Sequence, residues 1–105
     1  MSIVLDVLKE ELERNLEKKR VFQNELDSLP KGYLSSCCIG GKNYIYRKRR
    51  EGNKIISEYI GVPGDDDVAN AIAARKHYLE IKEAINLINK EDIKLRKAIL
   101  AYENI

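Results

Sequence analysis

The sequence predicts an α+β protein: a long N-terminal helix, a three-stranded antiparallel meander, and a long C-terminal helix that is bent or split. Three observations predict it. Apolar residues recur at spacings of three and four over residues 2–29 and again over 65–105. Between them, residues 33–62 alternate with a period of two and hold most of the tyrosine. Two glycine-bearing pairs, Gly40-Gly41 and Gly52-Asn53, interrupt that middle stretch where two-residue turns belong. The 105 residues read as a single domain, 1–105, large enough for a modest core without disulfide or metal staples.

Ser2 can cap the first helix, and Leu5, Leu8, Leu12, Phe22, Leu26 and Leu29 form its apolar stripe. Asn15 and Lys19 fall on the same stripe, so its middle is polar, and Leu16 on the adjacent row is expected to compensate in part. The opposite face is rich in Glu and Lys and reads as solvated, with Glu10 and Arg14 spaced to pair. Leu29-Pro30-Lys31-Gly32 ends the helix, because proline cannot continue it and disfavours it in the residue before.

The Gly52-Asn53 turn fixes a register. Glu51 then faces Lys54, Arg47 faces Glu58, Tyr46 faces Tyr59 and Ile45 faces Ile60. Two opposite-charge pairs, one aromatic pair and one β-branched pair each contribute roughly 0.2–1 kcal/mol, and a slip of one residue loses all four. Gly40-Gly41 implies an earlier strand from Tyr33 to Ile39. Alternation then divides the sheet. Leu34, Cys38, Ile45, Ile56 and Ile60 make a core face, with the Arg47–Glu58 pair among them. Tyr33, Cys37, Tyr44, Tyr46, Ile55 and Tyr59 make the other, with Lys48 and Arg50 toward the turn. The expectation is that a helix covers the tyrosine end of this second face; the alternative is an open contact platform.

Pro63-Gly64 turns the chain, and Asp65-Asp66-Asp67 opens the last helical stretch, where carboxylates complement the helix dipole. The stripe then runs Ala71, Ala74, Tyr78, Ile81, Ile85, Ile88, Asp92, Leu95, Ile99 and Tyr102. Asp92 is its flaw, and Asn89-Lys90-Glu91-Asp92 reads as a cap that restarts a second helix or marks a bend. His77 lies off the stripe and reads as a surface residue.

The net charge of +2 conceals an uneven distribution. Lys42, Arg47, Lys48, Arg49, Arg50 and Lys54 oppose a single anion, Glu51, between residues 42 and 54, and Asp65-Asp66-Asp67 balances much of that excess. A local basic spot on a near-neutral body excludes both a histone-like polycation and an acidic mimic of DNA. Ile3-Val4-Leu5 is broken by Asp6 and no basic leader precedes it, so the expected location is the cytoplasm of a host bacterial cell, with no membrane partner. Cys37 and Cys38 are adjacent and point to opposite faces of a strand, which suits two half-buried reduced residues in place of a disulfide.

No catalytic residue, metal ligand set or cofactor is expected. One histidine supports neither a nucleophilic triad nor a zinc site. Gly40-Gly41-Lys42 lacks both the approach and the Ser/Thr of a phosphate loop. Binding remains, and the candidate residues are Tyr44, Tyr46, Arg47, Lys48, Arg49, Arg50, Lys54 and Tyr59. On a β-ribbon they suit contact with phosphates and stacked bases, or anchoring in a protein interface, where Tyr and Arg dominate. Leftover apolar stripe also allows a homodimer.

Tyr44-x-Tyr46, Arg50-Glu51-Gly52-x-Lys54 and Tyr59-Ile60-Gly61 are similar to a hairpin that recurs in small proteins of Gram-positive mobile elements. Leu29-Pro30-Lys31-Gly32 before it and an Ala-, Arg- and Leu-bearing helix after it extend the likeness to about residues 29–87. A looser version resembles the N-terminal sheet of some transposases and the arm-binding domains of phage integrases. In size and style the chain also resembles type II anti-CRISPR proteins, which are short, helix-rich and without an active site. That resemblance implies a phage or mobile-element protein that binds an RNA-guided effector nuclease and blocks DNA loading or cleavage. Its partner would be the effector ribonucleoprotein, through protein, guide RNA or target DNA. The alternative is a small DNA-binding accessory protein whose basic hairpin grips the phosphate backbone.

Overall fold

The computed structural model describes residues 2–104. The fold is α+β, in the order α1 (Ile3–Ser28), β1 (Tyr33–Ile39), β2 (Lys42–Glu51), β3 (Lys54–Gly61) and α2 (Asp66–Glu103). The three strands form one antiparallel sheet in the order β1-β2-β3. The chain divides into two compact units. One comprises the residues up to Ser28 with those from Glu80 onward, and the other spans Leu29–Leu79, so α2 contributes to both. No described helix is long and apolar enough to cross a membrane.

In the helical unit, Ser2 caps α1, its hydroxyl accepting from the amide of Leu5 at 3.2 Å. Ile81, Ile85, Ile88 and Ile99 of α2 are buried there, and Leu5, Leu8, Leu12, Phe22 and Leu26 of α1 are half-buried. The ion pair between Lys9 and Glu103, 3.2 Å, joins the start of α1 to the end of α2 and fixes an antiparallel order. Leu12 lines a small cavity with Arg96, Ile99 and Leu100, in the same sense.

Two of the polar residues foreseen on the stripes are enclosed in this unit. Asn15 is only 2% exposed and Asp92 is buried too. The amide nitrogen of Asn15 and one carboxylate oxygen of Asp92 have no hydrogen-bond partner among the described residues. Leu16, expected to compensate, is 43% exposed instead, because its row faces away from α2. Arg14 pairs with Glu11, at 2.7 Å, and not with Glu10.

Asp92 does not restart a helix. α2 is one helix from Asp66 to Glu103, so of the two alternatives expected near Asn89, a split or a bend, the split does not occur. The stripe on both sides of Asp92 is buried at matching spacing, and that burial holds the helical register through one polar position.

In the sheet unit both turns use glycine as anticipated. Gly40 and Gly41 both have positive φ, and at the second turn Gly52 alone does, a pattern that suits a type II′ loop with Asn53 following. Glu51↔Lys54, Arg47↔Glu58 and Tyr46↔Tyr59 pair as the turn dictates. Ile45↔Ile60 does not. The register shifts by one between Ile45 and Tyr46, so Ile45 faces Gly61 and Ile60 bulges. A side chain on Gly61 would meet the Asp65 carboxylate at 2.7 Å and Val68 at 3.2 Å, so anything larger than glycine there would have to displace the carboxylate from its place at the start of α2. The same carboxylate oxygen accepts from the Val62 amide at 3.0 Å, and the Asp65 carbonyl accepts the first helical bond, from Ala69. Val68 and Ala71 are the buried centre of this unit, and Leu34, Ile45, Ile56 and Ile60 are half-buried. Cys38, placed on the core face by alternation, is exposed, as is Cys37, because the Gly40-Gly41 end of the sheet lies open to solvent.

Candidate functional site

The strand register sorts the candidate residues between two faces. On the first face, Arg47 and Glu58 are opposed across β2 and β3 and their charged groups lie 3.5 Å apart. The Arg47 side chain is mostly buried, and it lines a groove of about 400 Å³ with Pro30, Glu58, Asp67, Asn70 and Ala71. Its guanidinium is thus committed to the body of the unit. Arg49 also points to this face and lies 3.8 Å from Glu51. Lys54 sits across from Glu51 beside the turn and is exposed.

The second face carries the tyrosines. Tyr59 stands between Tyr44 and Tyr46, with ring centroids 6.2 and 5.5 Å away and planes inclined by 53° and 58°. Such tilted contacts stabilise by about 0.5–1.5 kcal/mol each beyond area burial, and they fix the rings relative to the strands. Lys48 and Arg50 follow on the same side of β2, with Tyr33 paired to Lys48 and Ile55 paired to Arg50. Cys37, Tyr46, Lys48 and Ser57 line a shallow open depression of about 200 Å³.

This face is open. Tyr33, Ile55 and Tyr59 are 50%, 59% and 53% exposed and Tyr44 and Tyr46 are half-buried, so among the described residues no helix closes over the tyrosine end, contrary to the expected cover. The reason is geometric: the opening turns of α2 approach the face of Arg47 and Glu58, with Asp67, Asn70 and Ala71 beside them. A small sheet can be covered on one face and wet on the other.

The structure therefore brings together Tyr44, Tyr46, Lys48, Arg50 and Tyr59, and it sets Arg47 apart. Arg49 and Lys54 flank the tip. Tyr33, Ile55 and Ser57 complete the open face and were not among the candidates, although the Gly40-Gly41 turn already placed Tyr33 opposite Lys48. Chemically, the face offers four phenol rings, two aliphatic-stemmed cations and a short hydroxyl, with more positive charge at the hairpin end. Among the described residues no three His, Cys, Asp or Glu lie together in a way that could hold a metal ion.

A family model described as a domain of unknown function, DUF6788, matches residues 5–70, more than half of the chain, and the chain belongs to that family. The match covers most of α1, the whole sheet and the first turn of α2. No curated protein and no solved structure matches the chain.

Proposed function

We propose that this member of the DUF6788 family is a non-catalytic nucleic-acid-binding protein that works through the open tyrosine face of its sheet. Lys48 and Arg50, with Arg49 and Lys54 at the tip, take phosphates, and Tyr33, Tyr44, Tyr46 and Tyr59 lie against sugars and bases. The observation that carries this reading is the shared face on which Tyr44 and Tyr46, followed by Lys48 and Arg50 along β2, stand beside the exposed Tyr33 and Tyr59. A fold need cover only one side of a sheet, but leaving Tyr33, Tyr59 and Ile55 exposed on the other, beside half-buried Tyr44 and Tyr46, is unusual unless something docks there. Phosphate contacts supply most non-specific affinity for nucleic acid, and rings on a sheet accept bases of any sequence.

The exposed Ile55 and Tyr59 favour a second reading, in which the same face anchors on a protein. The inhibitor of an RNA-guided effector nuclease is that reading's concrete form. It too needs no catalytic residue, and the face would grip the effector itself or its guide RNA.

The test is a salt series. Binding of the protein to duplex DNA, single-stranded DNA and RNA is measured beside binding to a type II effector ribonucleoprotein. With Lys48→Ser/Arg50→Ser, two lost phosphate contacts lower the duplex salt slope by about two units. Arg47→Ser leaves that slope unchanged and lowers thermal stability, because Arg47 is tied to Glu58. Free nucleic acid bound at only about 10⁻⁴–10⁻⁶ M, with far tighter effector binding that depends on Tyr59, transfers the face to the second reading. Unchanged binding of every partner by the double variant overturns both.

A further inference from the structure

The two edges of the sheet are finished differently. β3 carries Lys54 and Glu58 and is interrupted by the bulge at Ile60. Charges and bulges of this kind keep a strand edge from pairing with another chain. β1 has neither: Tyr33-Leu34-Ser35-Ser36-Cys37-Cys38-Ile39 is uncharged, free of proline and in unbroken register with β2. Ser36, Cys37, Cys38 and Ile39 are all exposed. Among the described residues no backbone bond beyond the β1–β2 ladder reaches this strand.

The first turn fixes which backbone groups face outward. Gly40 and Gly41 both have positive φ, and a two-residue loop of that kind closes on a hydrogen-bonded pair, Ile39↔Lys42. Alternation then turns the amides and carbonyls of Tyr33, Ser35 and Cys37 toward β2, and those of Leu34, Ser36 and Cys38 away from it. The outward residues are symmetric about Ser36, the middle of the strand. We propose that β1 pairs antiparallel with β1 of a second copy of this chain, about a two-fold axis at Ser36. Ser36 then pairs with Ser36 of the second copy, and Leu34 with its Cys38, each pair exchanging both backbone bonds. Moving the axis to Cys37 would leave Leu34 opposite the turn. Tyr33 meets Ile39 of the second copy, so two exposed side chains, 50% and 59%, cover each other at both ends of the contact. A foreign strand could bond to the same edge, but only a copy brings this match twice. The strand itself sets no charge against a like charge. Lys31 and Lys42 come nearest to each other, at the two ends, where both are exposed and salt screens them. Every residue of the contact belongs to the sheet unit. The axis is normal to the sheet, so the tyrosine faces of the two copies look the same way.

The experiment uses the full chain in moderate salt under reducing conditions, with mass read by sedimentation and amide exchange by NMR. The parent is expected to dimerise reversibly, and the Leu34, Ser36 and Cys38 amides should exchange about tenfold more slowly in the dimer than in the monomer. Ser36→Pro should weaken dimerisation about tenfold or more. The amide it removes points outward, so the sheet survives, as circular dichroism should show. In a Cys38→Ser background, Ser35→Cys puts a thiol across a non-hydrogen-bonded pair from Cys37 of the second copy, where side chains lie closest. Mild oxidation should link the chains through those two thiols, and with Ser35 kept, Cys37 should not link to itself. A parent that stays monomeric at high concentration, or a dimer whose Leu34, Ser36 and Cys38 amides exchange as fast as the monomer's, overturns the proposal. So does a folded Ser36→Pro variant that dimerises as the parent does, or ready self-linking of Cys37 in the Cys38→Ser chain.

Discussion

At the scale of single residues, two glycines decide whether the sheet can close. Gly32 has a φ of 107°, and a side chain there would run into the carbonyl oxygen of Lys48. That carbonyl is backbone held in the β1–β2 ladder and cannot give way. Gly32→Ala therefore combines an unfavourable φ with a clash and is expected to cost about 2–4 kcal/mol, read as a drop in thermal midpoint. Gly40→Ala is its control, since a side chain at Gly40 meets nothing within 4 Å and only the φ penalty remains. Equal losses in the two variants would show that the close approach at Lys48 does not matter. The same scale explains why Arg47 and Arg50 differ in role. Both are strand cations of β2, but alternation points one to Glu58 and the other to solvent.

At the scale of elements, the helical unit holds two buried polar side chains, Asn15 and Asp92, among mainly apolar stripe residues. The Asn15 amide offers a donor and the Asp92 carboxylate an acceptor, each without a partner among the described residues. Unsatisfied buried groups are costly, and replacing both with aliphatic residues of similar volume is often neutral or stabilising. Asn15→Leu/Asp92→Leu is expected to raise stability by about 1–4 kcal/mol, measured by denaturant unfolding, with α2 still continuous. A destabilised double variant would show that the two groups stabilise the unit through contacts absent from this arrangement. Both positions were legible as flaws in their stripes, since period and burial follow from the same spacing of three and four. The continuity of α2 was not legible. A run such as Asn89-Lys90-Glu91-Asp92 caps helices by local preference, and only the buried isoleucines on either side outweigh it.

The sheet was readable for a different reason. Gly52-Asn53 sets a turn, and the charge and ring pairs agree with only one register, so three of the four expected pairs occur. The fourth fails at Gly61, where the strand has to meet Asp65 and Val68, a tertiary demand that alternation along the strand does not encode. The open face was half legible. Its residues follow from period two, but which face the start of α2 takes depends on the loop at Val62–Asp65, and that loop is set by one carboxylate.

At the scale of the molecule, the small net charge of +2 is misleading, because function would follow from where the charge sits. Lys48 and Arg50 stand on the aromatic face, Arg49 and Lys54 flank the hairpin tip, and the aspartates gather at the start of α2. Membership of DUF6788 covers residues 5–70, which includes this entire face. The central claim is that nucleic acid docks on that face and nowhere else. The most direct measurement is an amide NMR titration of the labelled protein with a short DNA duplex and with a single strand of the same sequence. The account predicts shifts concentrated at Tyr33, Tyr44, Tyr46, Lys48, Arg50 and Tyr59, lost with Lys48→Ser/Arg50→Ser. Shifts confined to α1 or to the second half of α2, or no shifts with either ligand, would contradict it.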